Sequence, residues 1–232
     1  MTPKALIFDV DGTLAETEEA HRHAFNDVFA EFAIGWHWGR DLYRELLRTT
    51  GGKERMRAYA ANHLHIDPAQ IPVVEIHRRK TQIYGDLIAK GTVPLRPGIA
   101  ALIKSAQKNG CRLAVATTTN LPNVDRLIRA TLGLPAGEVF EVIAAGDMVK
   151  AKKPAPDVYA LALARLDLPA RDCLALEDSR NGLASAQAAA IPCVICPSAY
   201  TDHDDFTGAI AVLDSFEHIS QCADLAALFA PA

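Results

Sequence analysis

The sequence predicts an α/β fold: a doubly wound parallel sheet with an all-helical region inserted after the first strand. Two observations carry this. Short apolar runs rich in β-branched residues recur along the chain, and stripes with helical periodicity separate most of them. Between residues 16 and 92 the alternation stops and only helical spacing remains. Strands that alternate with helices need crossover connections, and these produce a parallel sheet covered on both faces.

The predicted strands are 5–10, 112–116, 142–145, 173–176, 193–196 and 209–213. Between them Ile99, Leu102, Ile103 and Ala106 form one apolar stripe, and Val124, Leu127, Ile128 and Leu132 a second. Val158, Leu161, Ala162 and Leu166 form a third, and Leu183, Ala186 and Ala190 a fourth. In the inserted region Ala24, Phe25, Val28, Phe29 and Phe32 recur at helical spacing. So do Leu42, Leu46 and Leu47, then Met56, Tyr59, Ala60 and Leu64, then Ile76, Ile83 and Leu87. Gly51-Gly52, Asp67-Pro68 and Ile71-Pro72 punctuate these helices, and the chain returns to the sheet near 94–97. This divides the chain into an α/β core, 1–15 and 93–232, and a helical cap, 16–92. Trp36 and Trp38 read as packing residues of the cap.

A length of 232 residues suits one α/β core with a sizeable insertion. A net charge of −4 without a basic run excludes a general nucleic-acid or membrane-surface binder. No apolar stretch approaches the roughly 20 residues that span a bilayer. The first residues lead straight into a strand without a charged leader, so a cytoplasmic location is expected. Five cysteines, Cys111, Cys173, Cys193, Cys196 and Cys222, read as reduced thiols. Cys193 and Cys196 have redox or zinc spacing, but they lie in a buried-strand run with no second pair nearby, so they read as core.

Four polar clusters stand where apolar strands end. Asp9-Val10-Asp11-Gly12-Thr13 closes the first strand, with Asp9 and Asp11 on the same side of the pleat. Alone, this pattern also fits a turn. Thr117-Thr118-Thr119-Asn120 follows the second strand and precedes a helix. Its hydroxyls and backbone N–H groups suit phosphate oxygens, although a helix-capping loop looks the same. Lys152-Lys153-Pro154 places a cation just before another helix. Glu177-Asp178-Ser179 ends a further strand with two hard oxygen ligands suited to Mg²⁺. Together they put two acid pairs, a hydroxyl loop and a lysine at the carboxyl ends of strands, where open α/β sheets bind ligands.

In the inserted region acidic and basic residues balance, at 11 each between 16 and 92. The basic ones are grouped: Lys53 and Arg55 after the glycine pair, then His77, Arg78 and Lys80 on one helix. Such groups suit a second phosphate, and Gly51 and Gly52 let backbone N–H groups approach it. The same helix also fits a solvated face. Glu18 suits sugar hydroxyls, and His21, about one turn later, faces the cleft or packs.

The ordered clusters resemble the motifs of the haloacid dehalogenase (HAD) superfamily, over nearly the whole chain. Asp9–Thr13 matches the first motif, Thr117 the second, Lys153 the third and Glu177-Asp178 the fourth. The stretches 14–19, 49–55, 117–123 and 144–149 are further similar to the CbbY-like family of carbon-fixing organisms. The resemblance implies a Rossmann-like core, a helical cap and a Mg²⁺-dependent phosphatase. Asp9 would be the nucleophile, forming an aspartyl phosphate, and Asp11 the general acid and base, with Thr117 and Lys153 assisting. Mg²⁺ would be held by Asp9, the Asp11 carbonyl, Glu177 and Asp178. Substrate would meet Glu18, His21, Gly51, Gly52, Lys53, Arg55, His77, Arg78, Lys80, Thr118, Thr119, Asn120 and Asn123. Characterised members of that family dephosphorylate xylulose-1,5-bisphosphate, a Rubisco inhibitor of the Calvin cycle, to xylulose 5-phosphate. The partner expected is therefore a small sugar phosphate or bisphosphate, with no nucleic acid, membrane or obligate protein partner. Two alternatives stay open: a phosphosugar mutase of the β-phosphoglucomutase type, and a non-catalytic Rubisco-associated binding protein.

Overall fold

The computed structural model describes residues 3–221. Cys222, read above as a reduced thiol, lies outside them. Six strands form one parallel sheet: β1 (Ala5–Phe8), β2 (Arg112–Ala116), β3 (Val142–Ala144), β4 (Cys173–Glu177), β5 (Cys193–Ile195) and β6 (Ala211–Val212). Their order is β3-β2-β1-β4-β5-β6. All six predicted strands are present, the last reduced to two residues. Phe8 pairs with Val115 on one side and Leu176 on the other, so β1 is central and each neighbour runs one residue beyond it. The strand order reverses at β1, which opens a crevice at its carboxyl end.

The sheet is buried on both faces, and strand alternation sorts its side chains. Leu6, Phe8, Leu113, Val115, Leu174 and Leu176 enter one core with α5 (Ile99–Lys108) and α6 (Leu121–Leu132). Ala5, Ile7, Ala114, Ala116, Cys173 and Ala175 enter the other, beneath α8 (Asp157–Leu166) and α9 (Arg180–Ala188). A short α7 (Ala136–Val139) leads into β3. The fourth stripe is shorter than its spacing predicts. α9 ends at Ala188, and Ala190 is exposed with φ 57°, because the chain must turn back into β5. Cys193 and Cys196 are buried core residues, as read.

Between β1 and α5 lie only helices: α1 (Glu18–Glu31), α2 (Arg40–Leu46), α3 (Gly52–Asn62), a 3₁₀ turn and α4 (Val73–Ala89). Phe25, Val28, Phe29, Trp38, Tyr43, Met56, Tyr59 and Ile76 give this insertion a core of its own. The chain departs and returns side by side, since Ala15 and Leu95 form an antiparallel bridge. No described helix is long and apolar enough to cross a membrane.

Candidate active site

Asp9 is the first residue beyond β1, fixed by its N–H on the Leu176 carbonyl at 3.0 Å. The chain then turns at Gly12 with φ 86°, a conformation that favours glycine. A Cβ at Gly12 would stand 2.2 Å from Asp178 Oδ2, and one at Gly182 would stand 1.8 Å from Glu177 Oε2. These backbone hollows let the two acids reach Asp9, and the three carboxylates offer oxygens within 4.8 Å of one another. Lys153 Nζ donates to Asp9 Oδ1 at 2.6 Å, Glu177 Oε1 at 2.6 Å and the Ala116 carbonyl at 2.8 Å. Tyr159 OH donates to the same Glu177 oxygen at 2.6 Å.

Three buried acids thus face one lysine. Burial pushes the Asp9 carboxyl up to about 8; Lys153 opposes this, while Glu177 and Asp11 add to it. Asp178 is likewise pushed well above the carboxylate range by burial and by Asp9 and Glu177. Glu177 Oε2 is buried without a hydrogen-bond partner. Uncompensated charge, an orphaned carboxylate oxygen and an all-oxygen donor set fit a hard divalent cation.

The sign of the pH dependence follows. An acid raised in the folded state stabilises it at low pH, and this contribution is lost as pH rises toward about 8. Cation binding favours the deprotonated carboxylates. The melting-temperature gain from a bound divalent cation should therefore grow between pH 6 and pH 8. Calorimetric melts with Mg²⁺ and with EDTA check this; a gain independent of pH would contradict it.

Asp11 points away from this cluster. Its Oδ1 accepts from Thr17 Oγ1 at 2.5 Å, His21 Nε2 at 3.1 Å and Tyr84 OH at 3.3 Å. Burial alone would raise its pKa, but His21, Thr17 and Lys80 outweigh that and hold it down to about 2. Lys80 Nζ lies 2.5 Å from His21 Nδ1; when Lys80 is charged it donates to that nitrogen, and the His21 Nε2–H then donates to Asp11. Burial and Arg55 push Lys80 down to about 7. His21 also stacks on Tyr84 at 3.8 Å between centroids.

One cavity of about 890 Å³ joins the acid cluster to the helical insertion. Asp9, Asp11, Lys153, Glu177 and Asp178 form its floor. Glu18, His21, Gly51, Gly52, Lys53, Arg55, His77 and Lys80 line it from the insertion, and Thr118, Thr119, Asn120 and Asn123 from the sheet side. Asn120 Oδ1 caps α6 by accepting from the Asn123 N–H at 2.9 Å, which aims that helix's N-terminus at the cavity. Glu18 is held by Tyr43 OH at 2.9 Å, and Tyr43 in turn by Arg55 at 2.9 Å. Burial, then Lys80 and Lys152, pushes His77 down to about 3, so it is neutral.

Two expected residues are not brought to the cavity. Arg78 is exposed on α4: His77, Lys80, Thr81 and Tyr84 share one helix face, and 78 is a sideways step from it. Thr117 is fully buried beneath the wall, where its Oγ1 accepts from the Thr119 N–H at 3.2 Å and shapes the turn. Sequence reading missed Tyr43, Tyr84, Tyr159 and Thr201, which hold functional side chains, and Lys152, which reaches across to Glu54 at 3.3 Å. Lys152 had a signal, its place beside Lys153. The tyrosines lie on helices at core-like positions and had none.

A buried acid backed by lysine at a sheet switch point, with a second acid nearby, defines a class. The chain belongs to the haloacid dehalogenase-like hydrolase family, whose pattern it matches over residues 3–190. Within that class it is similar to protein CbbY. It is 55% identical over 222 residues to protein CbbY of Cereibacter sphaeroides, with 96% of each chain covered. It is 58% identical over 209 residues to that of Rhodobacter capsulatus, with 90% and 92% covered. A crystal structure of a Rhodobacter sphaeroides CbbY variant in complex with xylulose-(1,5)bisphosphate superimposes with a TM-score of 0.88 at 56% identity, covering 93% of this chain and 95% of that one. The protein is accordingly a HAD-type phosphatase.

Proposed function

We propose that the protein hydrolyses xylulose-1,5-bisphosphate to xylulose 5-phosphate and phosphate through an aspartyl phosphate on Asp9, so removing a Rubisco inhibitor. The observation that carries this reading is the complex of a 56% identical CbbY with that bisphosphate. The cavity supports it, since Lys53, Arg55, Lys152 and the Gly51-Gly52 turn line it together with Asp9. The four described free cysteines are buried thiols, which supports a reducing, cytoplasmic setting. Segment 16–92 serves as the cap that selects substrate.

Mg²⁺ would be held by the Asp9 and Asp178 carboxylates and the Asp11 carbonyl, with Glu177 beside them, and would offset charge where Asp9 meets the phosphoryl group. Lys153 adds a fixed positive charge there. An Asp9 oxygen attacks phosphorus and the bond to the sugar oxygen breaks. Asp11 protonates that oxygen, then takes a proton from the water that releases phosphate from Asp9. In the substrate-free protein Asp11 is the anion, so the proton it gives to the sugar oxygen is first taken up from solvent as the phosphate binds. A phosphate dianion nearby disfavours a second anion and raises its proton affinity.

The test is phosphate release from xylulose-1,5-bisphosphate, ribulose-1,5-bisphosphate, xylulose 5-phosphate and β-glucose 1-phosphate, with Mg²⁺ and with EDTA. Magnesium-dependent release, strongest from the first, is expected. Isomerisation without release would replace this reading with a mutase. Lys53→Ala should raise KM for the bisphosphate about tenfold with little change in kcat, a charge-assisted hydrogen bond being worth roughly 1.5–3 kcal/mol. Arg78→Ala should leave both constants unchanged, because Arg78 is exposed outside the cavity.

A further inference from the structure

Residues 196–202, which follow β5, meet three parts of the molecule. At the root of the insertion Arg96 donates to the Cys196 and Pro197 carbonyls, each at 2.7 Å, and lies 3.3 Å from the Glu16 carboxylate. On the insertion itself Arg44 donates to the Ala199 carbonyl at 2.6 Å. The Tyr200 ring stands edge-on to Tyr43, 5.7 Å between centroids, and its hydroxyl donates to Glu19. At the acid cluster Thr201 Oγ1 donates to the Asp178 carbonyl at 2.6 Å and lies 3.3 Å from Asp178 Oδ2. The same oxygen accepts from the Ser198 N–H at 2.9 Å. Tyr200 and Thr201 are both buried. A single peptide joins the residue gripping the helices to the residue gripping the acid, so the two contacts stand one residue apart on one short buried segment.

We propose that this segment couples Mg²⁺ binding at Asp178 to closure of the helical insertion, with Tyr200 a positioning residue for an acid it does not touch. The proposal rests on the metal reading above. Coupling is reciprocal: closure tightens Mg²⁺ binding by the factor by which Mg²⁺ favours closure. A side chain remote from the acids thereby sets part of the metal affinity.

The experiment is calorimetric titration of the substrate-free protein with Mg²⁺. Tyr200→Ala should weaken binding about tenfold, within the range usual for coupled sites. Tyr200→Phe keeps the ring and loses the Glu19 bond, and should weaken binding a few-fold. Glu19→Gln, which weakens the same bond from the other side, should match it. Melts in EDTA establish that each variant is folded; if Tyr200→Ala is not, the other two decide. Wild-type affinity in the folded variants overturns the coupling and leaves the metal reading intact. A wild type that binds no Mg²⁺ removes the metal reading and the coupling with it.

Discussion

Asp9→Asn is expected to lower kcat at least ~10⁴-fold, about 5.5 kcal/mol in the barrier, while leaving fold and substrate binding in place. The expectation rests on position. Asp9 stands at the sheet's switch point, pinned by its backbone to β4 and by its side chain to Lys153. An amide there keeps the shape but has no anionic carboxylate oxygen to attack phosphorus. The change also removes one acid from a cluster that already has too many for one lysine. The variant should therefore melt no lower than wild type in EDTA, which separates lost chemistry from lost structure. Single-turnover phosphate release on pure protein is the measurement; residual turnover above about 1% would end the nucleophile assignment.

Lys153→Met is expected to have the second largest effect, and on two quantities. It deletes three hydrogen bonds and the charge between Asp9 and Glu177, in a pocket where all three groups are buried. Removing one partner of a buried ion pair costs about 3–5 kcal/mol, because the remaining charges are left unpaired. At roughly 2–4 °C per kcal/mol for a chain of this size, that lowers the EDTA melting temperature by about 10 °C. Mg²⁺ should restore part of it by neutralising the same carboxylates. kcat should fall about 10²–10³-fold even with Mg²⁺ saturating, since a fixed charge on the phosphoryl oxygens is gone. An unchanged melt in EDTA would mean that Lys153 does not balance the acids.

The core of this site was legible because its signals are local. Asp9 and the Glu177-Asp178 pair close apolar runs, Lys153 precedes a helix, and parallel-sheet geometry gathers strand ends without any knowledge of side-chain contacts. The insertion was legible as helices from its spacing, but which face of α4 meets the cavity was not. Grouping by adjacency took in Arg78; the helix turns His77, Lys80, Thr81 and Tyr84 inward and Arg78 outward. Tyr43, Tyr84, Tyr159 and Tyr200 were invisible for a different reason. A tyrosine serves as packing along its ring and as a donor at its tip, and only the tertiary structure shows which acid the tip meets.

The bridge between Ala15 and Leu95 makes the insertion a cassette, its two ends side by side on one edge of the core. Yet the cassette does not carry specificity alone. Thr17, His21 and Tyr84, which govern the proton on Asp11, travel with it, whereas Asp9, Lys153, Glu177 and Asp178 stay behind. Under the proposed mechanism, capture of the phosphoryl group is a property of the sheet, and its onward fate, to water or to a sugar hydroxyl, is a property of the cassette. Exchanging insertions between related chains would then transplant a reaction outcome along with a substrate preference, which gives this architecture a route to new activities that leaves its nucleophile untouched.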